Sequence, residues 1–89
     1  MYRVLWLQSV LNELTAHWLV ADSATRQAIT AAANTIEQEL RDDPEEKGES
    51  REEDERVLFA PPLGVTFEVD LHQHIVTILH VWVFRSRRQ

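Results

Sequence analysis

Two consecutive runs of strand-forming residues between positions 56 and 84 constrain the fold of this chain more than any other feature. Valine, isoleucine, threonine and phenylalanine dominate both runs, and their side chains fit a pleated surface. In the first run, Leu63–Asp70, every second residue is apolar, and the residues between them are glycine, threonine and two carboxylates. This alternation predicts a strand with one face in the core and the other in water.

The second run, residues 75–84, is apolar at almost every position. Strict alternation predicts that one face carries Ile75, Leu79, Val81 and Val83, and that the other carries Val76, Ile78, Trp82 and Phe84. A strand that is apolar on both faces usually lies inside its sheet or is covered twice. The polar residues around His72 predict a hairpin between the two runs. We therefore expect an antiparallel sheet whose last strand is interior.

The first half of the chain predicts one strand and two helices. Residues 2–7 read as a short strand, and Ser9 is a candidate N-cap for a first helix, because its hydroxyl can accept from the free N–H groups of the first turn. Asp22 or Ser23 can cap a second helix, residues 24–41. Its apolar stripe consists of Ala28, Ile29, Ala32, Ala33, Ile36 and Leu40. Two helices with so short a connection predict a hairpin that covers the sheet.

An acidic segment, residues 42–55, separates the helices from the two long strand runs. It contains nine aspartates and glutamates, offset only by Lys47 and Arg51. Pro44 ends the second helix, because the residue before a proline is pushed out of helical geometry. The segment has no apolar periodicity, so we expect a solvated, mobile loop. Residues 56–60 then predict a further short strand.

Length and composition limit the classes of protein that this chain can be. Its 89 residues predict a single domain, 1–89, with ordinary hydrophobic and charged fractions of 44% and 27%. The absence of cysteine excludes disulfides and thiolate metal sites and suits a cytoplasmic protein. No apolar run reaches the roughly 18–20 residues of a membrane-spanning helix. The net charge of −6 argues against a broad or sequence-specific DNA-binding surface.

Arginines are the candidate binding residues, because the segment after the last strand carries three of them and no acid. The set that could contact a phosphate or the carboxylates of a target or partner protein comprises Arg51, Arg56, Arg85, Arg87 and Arg88. For Arg51 and Arg56, the alternative is an ion pair with the acidic segment or with Glu68. For the three C-terminal arginines, the alternative is a solvated, frayed terminus.

Histidines and tryptophans could also carry chemistry. The spacing of His72 and His74 places both rings on one side of a strand, but no third ligand is evident, and we predict neither a metal site nor a cofactor. His80 could act as a general base or simply pack against the sheet. The tryptophans at positions 6, 18 and 82 could stack on bases. Their strand and helix spacing instead favours the core.

Short motifs follow one another along nearly the whole chain: Val4-x-Trp6-x-x-Ser9, Pro44, Gly48-Glu49-Ser50-Arg51, Arg56-Val57-Leu58, Pro62-Leu63-x-Val65-x-Phe67-x-Val69 and Val76-x-Ile78-x-x-Val81-Trp82. With the element order β-α-α-β-β-β, this pattern resembles the RelE/ParE superfamily of toxins from type II toxin–antitoxin systems, which includes plasmid stabilisation proteins. The resemblance implies a two-layer α+β fold, in which a mostly antiparallel four-stranded sheet carries a helical hairpin on one face. It also implies that the first strand lies beside the last.

Two activities occur in the superfamily that this chain resembles. RelE-like members are metal-independent, ribosome-dependent mRNA endonucleases, in which Lys, Arg, His, Glu or Tyr side chains on the sheet act on the scissile phosphate and the 2′-hydroxyl. ParE-like members bind DNA gyrase and lack such a set. An antitoxin segment silences both kinds. The implied partners are therefore a cognate antitoxin and either gyrase or the ribosome, and an uncovered sheet edge would also allow a homodimer.

The chain departs from the endonuclease pattern in three places. The strand position at which the endonucleases carry an arginine on the exposed face of the sheet is Leu63 or Gly64 here. No tyrosine follows the last strand, and the loop that would face RNA is acidic. Carboxylates in that loop would repel phosphates within a Debye length of about 8–10 Å. These departures favour a ParE-like binder or an inactive member. For the endonuclease alternative, the remaining catalytic candidates are Arg56, His80 and Arg85.

Overall fold

The computed structural model describes residues 1–44, 49–50 and 55–84. In these ranges the elements are β1 Arg3–Trp6, α1 Gln8–Val20, α2 Ser23–Asp42, β2 Glu49–Ser50, β3 Glu55–Ala60, β4 Leu63–Asp70 and β5 Ile75–Val83. Both predicted helices and all four predicted strands are present, with bounds that differ by at most two residues. The prediction of a loop throughout residues 42–55 is wrong at β2, whose two residues pair with β3.

The strands form one mixed sheet in the order β1-β5-β4-β3-β2. The pairs β2–β3, β3–β4 and β4–β5 are antiparallel, whereas β1 and β5 are parallel. β5 therefore lies inside the sheet, as its two apolar faces predicted, and the first strand lies beside the last, as the resemblance implied. The predicted two-layer α+β fold is confirmed, with β2 as an additional short edge strand.

A β-bulge in β5 reverses the alternation on which the prediction for that strand rested. The register between β4 and β5 shifts between Thr66 and Phe67, which leaves Leu79 of β5 as an extra residue. Even-numbered residues of β5 face the helices before the bulge, and odd-numbered residues face them after it. The side chains that reach the core are Val76, Ile78 and Val81, with Val83 beside them. The prediction that Trp82 and Phe84 share the face of the early even-numbered residues is therefore wrong.

The core lies between the helical hairpin and one face of the sheet. The helices contribute Val10, Ile29, Ala32, Ile36 and Leu40, and the sheet contributes Leu58, Leu63, Val65, Phe67, Val76, Ile78 and Val81. Burial of each large side chain in this set contributes roughly 1.5–3 kcal/mol. Ala28, predicted to lie in the apolar stripe of α2, is exposed, because the buried stripe is narrow and runs through Ile29, Ile36 and Leu40.

α1 begins without a side-chain cap. The carbonyl oxygen of Leu7 accepts from the backbone N–H groups of Val10 and Leu11, at 2.9 and 3.0 Å, so Leu7 is the N-cap and the helix starts at Gln8. The prediction that Ser9 caps this helix is wrong. The reason is the very short connection from β1, since only Leu7 separates the strand from the helix.

The two helices are joined through side chains at their connection. Of the two predicted caps, Asp22 and Ser23, it is Asp22 that caps α2, and its carboxylate accepts from the backbone N–H of Thr25 at 2.8 Å. The guanidinium of Arg26 donates to the carbonyl oxygens of Trp18 and Leu19, at 2.9 and 2.8 Å, and lies 4.5 Å from the centroid of the Trp18 ring. These contacts satisfy carbonyls at the end of α1 that have no partner within the helix. Neither helix is long and apolar enough to span a membrane.

Gly64 of β4 leaves space for the Trp82 side chain on the side of the sheet that faces away from the helices. The two residues are opposite one another in the register. A Cβ atom at Gly64 would lie 2.6 Å from the Cε2 and Cζ2 atoms of Trp82. The indole therefore lies directly against the backbone of β4, and only a glycine leaves room for it there.

Replacement of the α2 cap should lower stability in a pH-dependent way. Hydrogen bonds from Thr25, the backbone one first, lower the pKa of Asp22 below its ordinary value. A carboxylate with a lowered pKa stabilises the fold above its unfolded-state pKa, and this stabilisation is lost as the pH falls through the folded-state pKa. Asp22→Ala should thus lower Tm at pH 7, and the difference from the parent should shrink below about pH 4.

Asp22→Asn is the matched control for this measurement, because asparagine also caps helices but carries no charge. It should retain most of the stability at neutral pH. Thermal unfolding of the parent and both variants between pH 7 and about pH 2 tests the prediction. A Tm difference for Asp22→Ala that stays constant over that range would contradict it.

Substitution of Gly64 should lower the free energy of unfolding, and contact with the Trp82 ring should be the sole cause. Gly64→Ala forces the indole to move, and overpacking of this kind costs about 1–3 kcal/mol of unfolding free energy. In a Trp82→Leu background the same substitution should cost clearly less, since the ring that it displaces is gone. Urea denaturation of the four proteins of this double-mutant cycle measures the coupling. Equal costs in both backgrounds would show that contact with the indole is not the cause.

Candidate functional site

The side of the sheet that the helices leave uncovered, here called the open face, carries the candidate site. Its residues alternate along each strand with those that enter the core. The open-face residues are Arg3 and Leu5 of β1, Ile75, Thr77, His80 and Trp82 of β5, Gly64, Thr66, Glu68 and Asp70 of β4, and Glu55, Val57 and Phe59 of β3. Phe84 follows β5 on the same side, where its ring contacts that of Phe59.

Three aromatic rings, the aromatic cluster, occupy one end of the open face: Phe59, Trp82 and Phe84. Phe59 and Trp82 both lie opposite Gly64, from the two neighbouring strands. The ring of Phe59 meets those of Trp82 and Phe84 edge to face, with centroids 6.1 and 5.7 Å apart. Edge-to-face contact of this kind is favourable, and it holds the rings as one surface. Phe59 is 53% exposed, whereas Trp82 and Phe84 are half-buried, so Phe59 is the ring of the cluster that is most open to solvent.

Carboxylates occupy the opposite end of the open face. A row across the sheet runs from Leu5 through Thr77 and Glu68 to Glu55. A shallow depression of about 570 Å³ lies over this end, lined by Leu5, Glu68, Val69, Asp70, Leu71, His72, Ile75 and Thr77. Leu5 and Leu71 are 42% and 57% exposed there. This end of the face therefore combines negative charge with accessible apolar surface.

Two of these carboxylates belong to residues that are paired across the sheet. Glu55 of β3 and Glu68 of β4 are directly opposite in the register, and neither forms an ion pair with another described residue. Like charges in directly opposed positions destabilise a sheet, by an amount comparable to the roughly 0.2–1 kcal/mol that a favourable pair contributes. The fold thus tolerates an unfavourable pair at the centre of its acidic end.

The structure does not bring Arg56 and His80 together. Arg56 is half-buried and lies opposite Phe67, whose side chain is in the core, so Arg56 is on the helix-covered side of β3, next to the short edge strand β2. His80 is exposed, lies opposite Thr66 two strands away, and borders a small depression with Ser9 and Glu13 of α1. Two such groups cannot act on one phosphate.

The other arginines that the sequence singled out lie outside the described residues. These are Arg51, Arg85, Arg87 and Arg88. Among the open-face residues that the structure describes, Arg3 is the single lysine or arginine.

The predicted hairpin around His72 is confirmed, and the side chain of Asp70 stabilises its turn. The carboxylate of Asp70 accepts from the backbone N–H groups of His72 and Gln73, at 3.0 and 3.1 Å. His74 adopts a left-handed conformation with φ of 59°, and its ring stacks on Tyr2 at 5.0 Å. Asp at this position is a recognised turn former, so the sequence held a signal for the turn beyond the histidines. Within the described ranges no three His, Asp or Glu side chains lie close enough to hold a metal ion.

The tryptophans divide between core and surface. Trp6 packs against the core and donates from Nε1 to Glu37 of α2 at 3.2 Å, as its strand position predicted. Trp18 is 37% exposed on the helical hairpin, where its Nε1 donates to Thr30, and Trp82 lies on the open face. The prediction of a core position is therefore wrong for Trp18 and Trp82. The bulge in β5 moved Trp82 out of the core, and nothing in the local sequence announces the bulge.

Comparison with known proteins finds similarity in structure alone. No protein-family model matches this sequence. No curated protein sequence matches it either.

Several solved structures superpose on nearly the whole chain. The isolated RelE toxin of E. coli aligns with a TM-score of 0.62 at 13% identity, over 98% of this chain and 88% of RelE. The archaeal RelE–RelB complex from Pyrococcus horikoshii aligns at 0.57 and 17% identity, over 92% and 93% of the two chains. The intact E. coli RelBE toxin–antitoxin complex aligns at 0.60 and 17% identity, over 98% and 100%.

These alignments cover 92–98% of this chain. At 13–17% identity they establish the fold and not the chemistry of the open face. This chain has the fold of the RelE/ParE-superfamily toxins.

Proposed function

We propose that this protein is the toxin component of a type II toxin–antitoxin system, neutralised by a cognate antitoxin and acting by binding an intracellular protein target such as DNA gyrase. The observation that carries the proposal is the composition of the open face on a toxin fold. Aromatic rings and carboxylates stand there, and Arg3 is the one cation among the described open-face residues.

Phosphoryl-transfer chemistry on RNA makes demands that this surface does not favour. Charge that develops on the scissile phosphate needs preorganised cationic donors, and the attacking 2′-hydroxyl needs a proton acceptor within hydrogen-bonding distance. Glu55, Glu68, Asp70 and His80 lie on the open face and could accept a proton, but Arg3 is the one arginine or lysine among the described residues of that face. Exposed carboxylates also repel phosphates over about 8–10 Å. His80 and Arg56 approach from different sides of the sheet.

Exposed aromatic side chains in a close-packed group support binding to a protein. Such rings bring a large apolar area at a small cost in side-chain entropy, and they are frequent among the residues that dominate interface energetics. The aromatic cluster has this character, since Phe59 is half-exposed while its ring is held by two others. The antitoxin part of the proposal is supported by the RelE neighbours, two of which were solved in complex with RelB.

A ribosome-dependent endoribonuclease is the second candidate, because the neighbouring structures described above are all RelE toxins. Cleavage of RNA by this chain would depend on the three remaining catalytic candidates, Arg56, His80 and Arg85. An inactive member that only binds its partner is the third.

Induced expression in bacteria distinguishes these candidates. Under the proposal, induction arrests growth, alters plasmid supercoiling and produces no new 5′ ends in primer extension on translated mRNA. His80→Ala should leave the arrest unchanged, because the proposed mechanism needs no general base. Ile36→Asp, which places a charge at a fully buried core position, serves as an unfolded control that must be harmless.

Each alternative has its own signature in the same experiment. New 5′ ends that disappear in His80→Ala would establish the endoribonuclease and end the proposal. Unchanged growth and unchanged supercoiling at confirmed expression would leave the inactive binder.

A further inference from the structure

The two ends of the open face are a fixed distance apart. Gly64, beneath the aromatic cluster, and Glu68, in the acidic row, are separated by four residues of β4. At the rise of a β-strand this is about 13 Å. Both positions belong to one continuous strand of the sheet, so the distance does not depend on any loop.

Each end offers a different kind of contact. The aromatic cluster offers the exposed ring of Phe59, held in place by edge-to-face contact with the half-buried rings of Trp82 and Phe84. The acidic end offers the carboxylates of Glu55, Glu68 and Asp70 beside Arg3, a net charge of −2 from three acids and one base. Leu5 and Leu71 add exposed apolar surface around these carboxylates.

The opposed carboxylates point to a cationic occupant. Glu55 and Glu68 place like charges at directly opposed positions, an arrangement that is unfavourable in a sheet. A lysine or arginine side chain placed between them would remove this repulsion and gain two attractive contacts at once. A neutral or acidic occupant would gain nothing at that row.

Charge also argues against two other occupants. Nucleic acid presents phosphates, and its affinity comes mainly from cationic side chains that this face does not supply. A second copy of this chain, joined through the same face by two-fold symmetry, would place one acidic face against another. A basic polypeptide has neither disadvantage.

We propose that the open face binds a basic, amphipathic segment of a partner protein, with aliphatic or aromatic side chains on the aromatic cluster and a lysine or arginine at the Glu55–Glu68 pair. To span about 13 Å, the two anchors must be about four residues apart in an extended segment or about nine apart in a helix. The inference rests on the proposed function only in taking the partner to be a protein, and it specifies the chemistry of that partner's contacting segment.

Selection from a random peptide library tests this directly. The purified full-length protein is used to select from phage-displayed random 16-residue peptides, and the most enriched peptide is synthesised and labelled for fluorescence anisotropy. We expect enriched peptides to combine apolar residues with lysine or arginine at one of the two predicted separations. Affinity should fall as salt is added, because the charged contact is at the surface.

Variants then locate the bound peptide. Phe59→Ser should weaken binding at least about tenfold, as expected for loss of an aromatic anchor. Glu68→Gln should weaken it about threefold, as expected for an exposed ion pair. Leu19→Ser and Glu13→Gln make the same kinds of change at exposed positions of α1 and should leave Kd unchanged. Leu71→Ser, at the acidic end, serves in place of Phe59→Ser if that variant does not fold.

Two further readouts separate binding from a merely structural role. Glu68→Gln should raise the Tm of the free protein while it weakens binding, because it removes the repulsion from Glu55. A peptide with its lysine or arginine changed to glutamate should bind Glu68→Lys more tightly than it binds the parent protein.

The proposal is overturned if no peptide is enriched, if the enriched peptides lack basic residues, or if Phe59→Ser and Glu68→Gln leave Kd unchanged. It is also overturned if sedimentation shows a dimer that Phe59→Ser dissociates, since the occupant would then be a second copy. Growth arrest without open-face peptide binding would refute this inference alone. Peptide binding of the expected kind without growth arrest would refute the proposed function alone.

Discussion

The burial of one face of β4 positions everything else in this protein. Leu63, Val65 and Phe67 of that strand are fully buried against the helices, and Ile36 and Leu40 of α2 are fully buried from the other layer. In a domain of this size, such a two-layer contact is the main source of apolar burial. Because β4 alternates strictly, the same contact forces Gly64, Thr66 and Glu68 onto the opposite face. The open face is thus a direct consequence of the core.

The bulge in β5 has more influence on function than its one extra residue suggests. A regular β5 would place Trp82 and Phe84 on the face of the early even-numbered residues, which is buried under the helices. With Leu79 inserted, Val81 takes the place in the core, and Trp82 lies on the open face against Gly64. The aromatic cluster therefore exists because the strand changes its alternation at one point. Bulges that redirect side chains next to binding surfaces are a common device in sheets.

Fold and surface chemistry have separate origins in this protein. The fold is that of the RelE/ParE-superfamily toxins. It follows from the spacing of apolar residues in the helices and strands of this chain. The open face is set by residues that the core does not constrain, so it can change charge and chemistry without any change in the fold. Here it combines exposed rings with opposed carboxylates, and this combination is the physical basis for proposing that the protein acts by binding.

The sequence by itself determined the layer architecture, the span of α2 to within one residue at each end, a cap for α2 at Asp22 or Ser23, and the interior position of β5. These features follow from local periodicity and local hydrogen bonding, which neighbouring residues specify. The resemblance added that β1 lies beside β5. These two strands are at opposite ends of the sequence, and local periodicity does not predict that they pair.

Only the tertiary structure decided where the candidate side chains lie. The separation of Arg56 from His80, the position of Trp82 on the open face and the pairing of Glu55 with Glu68 depend on strand register and on the bulge. Register is set by the simultaneous packing of strands that are distant in sequence, and a shift of one residue moves every following side chain to the other face. No local pattern contains that information, so the open face became visible only once the sheet was assembled.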